Sequence, residues 1–444
     1  MKKCLIFLVF SSILNTAKSQ YSVSSYAGTG IAGLKNGDLS IAQFKQPFGI
    51  CKDKFGNIFI ADQGNNCIRK ISPDGMVSTY AGTGIGGYMD GKVNMALFNQ
   101  PAGVCADDSG NIYVADFNNQ RIRKINTSGM VSTIAGSGFA GYSDGKGLSA
   151  EFNYPRGICV DKDYNLYIGD SWNHRVRKIT PNGNVTTYAG GGKTTGVQSV
   201  GAYVDATDTS ARFYTPCGLS VDALGNVFVA DAYNHRIRKI DKSRNVSTIV
   251  GSGPTGSGQG GYLDGNVSSA RLNTPTEVFI DSSGNFYIGD TFGNRIRKLS
   301  SNNGMVSCIG GDGTAGFLNG LDCSAKFSTP RGLVAFSNGK VYVSDFTNNR
   351  IRLLSPNTTD IGEYLEENSI NIYPNPASNL IIIENKGRTK ECSMIILNIK
   401  GQECWRQNLA KHQTEINISD LPGGIYFVKL ISDSVVETRK IVKE

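Results

Sequence analysis

The chain has 444 residues, 54 of them glycine, and a formal net charge of +8. The length exceeds one ordinary domain, and so much glycine is typical of many tight turns between short strands. The positive charge recurs in one repeated strand, Arg-Ile-Arg-Lys, so it is spread along the chain and does not form the concentrated basic face that nucleic-acid binding requires.

Residues 1–20 have the features of an export signal. A basic start, Met1–Lys3, precedes the apolar run Cys4–Leu14 and the small-x-small sequence Ala17–Ser19. The apolar run is too short to anchor the chain across a bilayer, and no later segment is long and apolar enough to do so. We therefore expect an exported protein with no transmembrane anchor in the mature chain.

A short motif then recurs along the chain. Its first copy, Val23–Gly30, nearly duplicates Val77–Gly84, and later copies begin at Val131, Val185, Val246 and Val306. Five copies follow an Arg-rich strand, but the first copy has none before it. The last Arg-rich strand, Asn349–Leu354, has no copy after it. Pairing of the first motif copy with the last Arg-rich strand would close the repeats into a ring, which predicts a β-propeller rather than an open solenoid.

Two residues mark each repeat at a constant spacing: a proline that opens one strand and an aspartate that ends the next. The prolines are Pro47, Pro101, Pro155, Pro216, Pro275 and Pro330. The aspartates are Asp62, Asp116, Asp170, Asp231, Asp290 and Asp345. Six such units with four short antiparallel strands each predict an all-β, six-bladed propeller over residues 21–354, closed by the N-terminal strand.

An Asn-containing tripeptide precedes the Arg-rich strand, as in Asn173–Arg175 and Asn234–Arg236. These residues and the four-strand pattern resemble the NHL repeat. The resemblance implies the propeller fold, but the family includes lyases, binding propellers and sensor domains, so it assigns no activity. Each repeated aspartate is expected to form a structural ion pair with the arginine that begins the next strand, because a catalytic residue need occur only once. The first repeat departs from this pattern, with Cys67 in place of that arginine.

The loops after the aspartates add an aromatic side chain in five repeats. These are Phe117, Trp172, Tyr233, Phe292 and Phe346. They are expected on one face together with the long glycine-rich connections between repeats, of which 191–211 and 252–270 are expanded. The five rings would offer sugars a stacking surface or a peptide an apolar anchor. The alternative is that each ring packs against the neighbouring repeat, and that the expansions are neutral insertions.

Two histidines, His174 and His235, occupy the same position in adjacent repeats. We include both in the candidate ligand-binding set. Two imidazoles could begin a zinc site, since lyases of the family use metal, but we identify no third ligand and predict no cofactor. The alternative is that they replace the Gln and Asn of sister repeats. The sequence contains no nucleophile elbow, His-Glu-x-x-His pair or phosphate loop, whereas a carboxylate pair of the glycosidase kind leaves no linear signature.

The ten cysteines do not suggest a disulfide framework. Cys51, Cys105 and Cys159 share one repeat position and are expected to be small buried apolar residues, too far apart to bond. We also predict no bond between Cys392 and Cys404.

The composition changes after Leu354. Residues 355–368 are polar and acidic and predict a linker, and about seven short β-like runs in 369–444 predict a small antiparallel sandwich. Three ordered motifs resemble the C-terminal sorting domain of type IX secretion cargo. The motif residues are Tyr373, Pro374, Asn375, Pro376, Gly424, Tyr426, Lys440 and Lys443. The resemblance implies the type IX translocon as a partner and export across a Gram-negative outer membrane. Whether the tail is then removed, and whether the product is released or attached to the surface, stays open.

These patterns predict a secreted or surface-displayed propeller that binds an extracellular protein, peptide or glycan. A hydrolase or lyase acting on sugars or peptides at the channel mouth is the alternative, and a purely structural adhesin is a third. An enzyme needs a few non-repeated polar groups near the axis, whereas a scaffold needs only a complementary surface. The sequence identifies neither the ligand nor the oligomeric state.

Overall fold

The computed structural model describes residues 20–191, 201–357, 370–385, 392–399, 401–409, 413–432 and 435–444. The described chain is mostly β-strand, and it divides into two compact units on either side of the Thr359–Asp360 bond. In these ranges, no helix is long and apolar enough to cross a membrane. Residues 1–19 of the predicted export signal and 358–368 of the predicted linker lie outside the described residues.

The described residues of the first unit form six antiparallel sheets, numbered here in chain order. In sheets 1 to 5, four strands lie side by side in sequence order, and sheet 6 takes its fourth strand from the N-terminus. The first strands are Pro47–Lys52, Val104–Ala106, Pro155–Val160, Pro216–Val221, Pro275–Ile280 and Pro330–Ala335. The second strands are Ile58–Asp62, Ile112–Asp116, Leu166–Asp170, Val227–Asp231, Phe286–Asp290 and Val341–Asp345. The third strands are Cys67–Ile71, Arg121–Ile125, Arg175–Ile179, Arg236–Ile240, Arg295–Leu299 and Arg350–Asn357.

The fourth strands of sheets 1 to 5 are Met76–Ala81, Met130–Ala135, Asn184–Ala189, Val246–Val250 and Met305–Gly310. A two-residue strand flanks the fourth strand in every sheet except sheet 4; these are Gly37–Asp38, Gly91–Lys92, Gly145–Lys146, Gly265–Asn266 and Gly320–Leu321. Short 3-10 turns are Gln63–Asn65, Phe117–Asn119, Gly147–Ser149, Ser171–Asn173, Asp208–Ser210, Ala232–Asn234 and Asp322–Ser324. Sheets of four or five strands repeated in this way are consistent with a propeller.

The fourth strand of sheet 6 comes from the other end of the unit. Gln20–Ala27 pairs antiparallel with Arg350–Asn357, with Val23 opposite Leu354 and Ser25 opposite Arg352. Both ends of the unit therefore lie in one sheet. The third strand continues to Asn357, three residues into the predicted linker, because Gln20 and Tyr21 extend the pairing.

The first strands lie against one another in chain order, and the first strand of sheet 6 contacts that of sheet 1. The contacts are backbone to backbone: the Gly49 amide donates to the Ala102 carbonyl at 2.9 Å. A Cβ atom on Gly157 would lie 2.0 Å from the Cys217 carbonyl oxygen, and one on Gly332 would lie 2.4 Å from that of Phe48. The glycine two residues after the repeated proline in sheets 1, 2, 3, 4 and 6 is thus explained by close approach of the neighbouring sheet. Apolar clusters fill the space between adjacent sheets.

The buried ion pairs differ from the prediction in one respect. The arginine that pairs with the aspartate is not the one that begins the third strand but the one two residues later. Arg123 Nη1 contacts Asp116 Oδ2 at 2.7 Å, whereas the Arg121 guanidinium lies 3.7 Å from the centre of the Tyr88 ring and donates to backbone carbonyls. Sheet 1 therefore keeps its ion pair despite Cys67, because Arg69 pairs with Asp62.

One disulfide was not foreseen. Cys308, in the fourth strand of sheet 5, bonds Cys323, in the turn Asp322–Ser324, with 6.3 Å between their Cα atoms. The prediction compared cysteines at equivalent repeat positions, and these two are not equivalent. The connection to sheet 6 turns back at Asp322–Ser324, where the Gly311 amide donates to the Asp322 carbonyl at 3.3 Å, and this turn brings Cys323 beside Cys308. Cys51, Cys105 and Cys159 form no disulfide, and the last two are buried.

The second unit has seven strands in two antiparallel sheets. The three-stranded sheet contains Ile370–Tyr373, Leu380–Asn385 and Gln413–Asn417. The four-stranded sheet contains Glu403–Leu409, Cys392–Asn398, Gly424–Ser432 and Val435–Lys443. One apolar core combines residues from both sheets, among them Ile381, Ile396 and Ile441, as in a small sandwich.

Candidate functional site

The five aromatic residues that follow the second strands are not equivalent in the structure. Trp172 and Phe292 are each 48% exposed, whereas Phe117, Tyr233 and Phe346 are only partly accessible. A half-exposed ring offers a ligand more apolar contact area than a ring that is already packed. Trp172 and Phe292 are therefore the strongest candidates for ligand contact in this set.

The less exposed rings pack on aromatic neighbours that the sequence analysis missed. Tyr154 lies between Phe117 and Trp172, with ring centres 4.8 and 4.9 Å away. Tyr214 lies between Tyr233 and His174, at 5.1 and 5.3 Å. Phe346 meets Phe48 at 6.0 Å. The missed residues lie in or next to the first strands, within two residues of the repeated proline. An aromatic residue beside that proline could therefore have been recognised in the sequence. Phe117, Tyr233 and Phe346 therefore pack on neighbouring rings, whereas contact of any of the five rings with a ligand stays a prediction.

His174 and His235 have a position in the structure that Asn or Gln fills in the other sheets. All six residues have a positive φ and accept a hydrogen bond from a backbone amide in the next sheet's loop. The acceptor–donor pairs are Asn66–Gln100, Gln120–Tyr154, His174–Thr215, His235–Thr274, Asn294–Thr329 and Asn349–Gln46. The last pair joins sheet 6 to sheet 1.

His235 is only 1% exposed, and both of its ring nitrogens have partners. Nδ1 accepts from Thr274 N at 3.0 Å, so Nε2 carries the proton that it donates to the Gly256 carbonyl at 2.7 Å. Burial lowers the pKa of this imidazole. His174 is also buried and accepts from Thr215 N through Nδ1. In this arrangement each histidine connects its sheet to the next, and a ligand contact at either residue stays a prediction. Across the described ranges, no three His, Cys, Asp or Glu side chains form a group able to hold a metal ion.

A cavity of about 280 Å³ lies between the first strands and is bounded by residues of all six sheets. Most of its wall is apolar, with Ile50, Ile158 and Val278 as examples. Its volume is at the lower end of the range for small-molecule pockets, about 300–1,000 Å³. The polar groups in the wall are few and do not follow the repeat.

Glu277 is the one carboxylic acid in the wall of this channel. It occupies the position that is glycine in the five other first strands. Its Oε1 accepts from the Val278 amide at 3.1 Å and fills the space beside Gly218, where a Cβ atom would lie 2.2 Å from it. Burial raises the pKa of Glu277 to about 8. The broken glycine pattern was visible in the sequence but was not used.

Two arginines stand at the position directly after the repeated proline, Arg156 in sheet 3 and Arg331 in sheet 6. Their guanidinium groups lie over aromatic rings of the loop face: Arg156 is 5.3 Å from the centre of the Phe117 ring and Arg331 is 5.9 Å from that of Phe292. Burial, and then the charge of Arg156, lower the pKa of Arg331 to about 10. Arg156 lines the channel, and both guanidinium groups lie on the side of the loops that carry the aromatic residues.

The predicted sorting residues lie at one edge of the second unit. Asn375 Oδ1 accepts from the Val442 amide at 2.8 Å, and Asn375 Nδ2 donates to the Lys440 carbonyl at 3.1 Å. Ala377, in the same motif as Tyr373, Pro374 and Pro376, bridges to Lys443. Gly424 pairs with Lys443, and Tyr426 donates to the Pro422 carbonyl at 2.9 Å. The first and last sorting motifs therefore form one surface with the strand that carries Gly424.

Comparison with known families agrees with the division of the chain into two units. The NHL repeat model matches residues 98–125, 152–179, 213–240 and 327–352, and the secretion system C-terminal sorting domain model matches residues 371–444. The chain carries NHL repeats and a C-terminal secretion sorting domain. The unmatched sheets, 1 and 5, are those with Cys67 and Glu277 at repeat positions. The sorting domain indicates a secreted or cell-surface protein and supports the type IX secretion system as its export partner.

Curated relatives match the NHL-repeat part at low identity. NHL repeat-containing protein 2 of Bos taurus is 28% identical over 361 residues, which is 74% of this chain and 48% of that protein. Protein SUPPRESSOR OF QUENCHING 1, chloroplastic, of Arabidopsis thaliana is 27% identical over 341 residues, which is 74% of this chain and 32% of that protein. The chain thus spans less than half the length of either relative.

Two solved structures from Bacteroides thetaiotaomicron share the fold. A structural genomics protein of unknown function superposes with a TM-score of 0.56 and 21% identity, and an auxiliary nutrient binding protein does so with a TM-score of 0.56 and 15% identity. Each match covers 76% of this chain and 76% of the other. At these identities the likeness concerns the fold alone.

Proposed function

We propose that this protein is a secreted or surface-displayed six-bladed propeller, closed by its N-terminal strand, that binds an extracellular ligand at the mouth of its channel. Three features support the ring: the six sheets, the contact of the first strand of sheet 6 with that of sheet 1, and the bond from Gln46 N to Asn349. The loops on one face of such a ring are held rigidly, and rigid loops suit binding.

The exposed rings of Trp172 and Phe292 carry the proposal of binding. They flank a channel mouth whose wall is apolar with a few polar groups, the composition usual for ligand sites. Aromatic rings give a large contact area at little cost in conformational entropy. A protein, a peptide or a glycan would each fit this surface.

A hydrolase or lyase is the second candidate, and Glu277 is the observation that favours it. A carboxyl group with a pKa of about 8 can act as a general acid or base at neutral pH. Glycoside hydrolysis usually needs two carboxyl groups, and the wall of the channel contains no second Asp or Glu. Binding therefore accounts for more of the site than catalysis does.

Substitution of the aromatic residues tests the proposed binding. The mature protein would be screened against immobilised glycans and peptides, and each hit measured by titration calorimetry. We expect W172A and Y233A to weaken binding about tenfold or more, with a nearly unchanged melting temperature for W172A because its ring is half exposed. Y233A should cost some stability, since Tyr233 packs on Tyr214.

The control is F55A. Phe55 is 65% exposed in the turn between the first and second strands of sheet 1, which is remote from the loops after the second strands. F55A should bind as the wild type does. Undiminished binding by W172A and Y233A, or an equal loss in F55A, would contradict a site at the channel mouth.

A further inference from the structure

The two channel arginines break the repeat in a way that needs an explanation. The residue after the repeated proline is Phe48, Ala102, Arg156, Cys217, Thr276 or Arg331. At this position, arginine therefore occurs only in sheets 3 and 6. The first strands contact one another in the order 1 to 6 and back to 1, and in that order sheets 3 and 6 are three steps apart in either direction. Side chains from opposite sheets meet only at the centre of such a ring.

Neither guanidinium has a carboxylate partner among the described residues. The ion pairs there include the six fully buried arginines, each with its aspartate, but not Arg156 or Arg331. Arg331 Nε is buried and has no hydrogen-bond acceptor. Arg156 Nη1 reaches only Cys217 Sγ, a weak acceptor, at 3.7 Å.

Two half-buried cations without a carboxylate partner among the described residues are costly for the fold. A buried charge is normally paired or hydrogen-bonded, and repulsion between like charges adds to the cost. The lowered pKa of Arg331 has these two causes, burial and the charge of Arg156. An anionic group between the two guanidiniums would remove both costs, and arginine binds planar oxyanions through two parallel hydrogen bonds.

We propose that Arg156 and Arg331 form an anion subsite that holds the carboxylate or sulfate of an acidic saccharide at the channel mouth. This inference rests on the proposed binding function and specifies its ligand class. Each arginine leads to an exposed aromatic ring: Arg331 directly to Phe292, and Arg156 through Phe117 and Tyr154 to Trp172. The acidic group would lie between the arginines while neighbouring sugar rings stack on these surfaces.

The geometry favours a saccharide over an acidic peptide. The cavity of about 280 Å³ below the mouth admits about one sugar ring. The exposed rings belong to sheets 3 and 5, which are not neighbours, so they suit a chain of flat, ring-shaped units that reaches from one ring to the other. A single peptide carboxylate would use the arginines but leave one of the aromatic surfaces uncovered.

The test uses the mature full-length protein and titration calorimetry with four probes. These are an oligogalacturonate, a sulfated oligosaccharide, a neutral gluco-oligosaccharide of equal length and a glutamate-rich peptide. We expect the wild type to bind at least one acidic saccharide about tenfold or more tightly than the neutral one. R156Q and R331Q should each lose that preference, and R331K should recover part of it because it restores charge without the planar fork.

K54Q is the control, since it removes the same unit of charge from an exposed turn residue. It should bind as the wild type does, and R331Q should melt at the same temperature as the wild type or higher. Equal binding of neutral and acidic saccharides, unchanged in R156Q and R331Q, would overturn the anion subsite but leave the proposed function intact. Binding of the peptide alone would overturn the saccharide assignment. Binding of no probe, together with no hit in the glycan and peptide screen, would overturn both.

Discussion

Arg123 Nη1 lies 2.7 Å from Asp116 Oδ2, and neither side chain is exposed to solvent. The same aspartate accepts from the Asn99 amide and from the Asn119 side chain, at 2.8 Å each. It therefore joins the second strand to the third and to the connection from the preceding sheet. An equivalent pair stands in each of the other five sheets.

Removal of one partner of this pair should be strongly destabilising. D116N leaves the Arg123 charge buried beside a neutral amide, so we expect the free energy of unfolding to fall by about 3–5 kcal/mol. Asp90 gives a matched control, because it also bonds Arg123, at 2.6 Å, but is 39% exposed. D90N should cost about 1 kcal/mol or less. Urea denaturation followed by tryptophan fluorescence measures both. A similar loss of unfolding free energy in D116N and D90N would show that burial does not explain the contribution of the Asp116–Arg123 pair.

The repeat pattern was sufficient to predict most of the fold, and the reason is physical. The proline and the aspartate of every unit, and the glycine of every unit but the fifth, meet backbone groups of the same or the next sheet, so they recur with that contact. The pairing of Val23 with Leu354 was predictable because each strand lacked a partner in the sequence. The sequence did not show whether Arg121 or Arg123 pairs with Asp116. Both side chains lie on the same face of one strand, and their directions are fixed only once the sheet has formed.

The candidate site was predictable only in part. Trp172 and Phe292 follow the repeated aspartates and were found in this way. Arg156, Arg331 and Glu277 replace other residues at repeat positions, and their surroundings depend on how the first strands of different sheets lie against one another. His174 and His235 were included because they share one position in adjacent repeats. Both accept the same backbone bond as the Asn and Gln of the other sheets, and a ligand role for them stays a prediction.

His235 should make stability sensitive to acid. Burial lowers the pKa of its imidazole below the ordinary 6.5, so the unfolded chain takes up the proton first as the pH falls. The stabilisation is complete above pH 6.5 and is lost progressively below it. We expect the melting temperature of the wild type to fall more between pH 7.5 and pH 5 than that of H235N. Asparagine is the appropriate replacement because Asn66 and Asn294 accept the equivalent bond. An equal fall in melting temperature for the wild type and H235N between pH 7.5 and pH 5 would contradict the lowered pKa of His235.

Glu277 should have an effect of opposite sign. Its pKa of about 8 in the folded protein, against 4.5 ordinarily, means that the unfolded chain loses the proton first as the pH rises. The wild type is then destabilised progressively between pH 4.5 and pH 8. Since glutamine does not titrate, the melting temperature of E277Q minus that of the wild type should grow over this window and become constant above pH 8. Differential scanning calorimetry at five pH values measures the difference, and a constant difference would mean that the carboxyl group titrates normally.

The Cys308–Cys323 disulfide should stabilise the junction between the two ends of the first unit. Cys323 lies in the turn Asp322–Ser324, where Asp322 accepts from the Tyr21 amide of the N-terminal strand. The adjacent Gly320–Leu321 pairs with Ser22 and Val23. The bond therefore joins the fourth strand of sheet 5 to the segment that holds the N-terminal strand in sheet 6, and an exported protein can keep it oxidised.

Loss of this bond should loosen the N-terminal strand before the rest of the unit. The disulfide spans a sequence separation of 15 residues, for which chain entropy gives about 3 kcal/mol of stabilisation. We expect the double variant C308A/C323A to unfold at lower urea concentration, with faster hydrogen exchange at the amides of residues 20–27 than at those of sheets 2 and 3. Mass spectrometry of peptic fragments resolves these regions. The double variant C105A/C159A is the control for lost sulfur atoms, since neither of these cysteines forms a disulfide. Faster exchange spread evenly over all sheets would show that the disulfide acts on global stability and not on closure by the N-terminal strand.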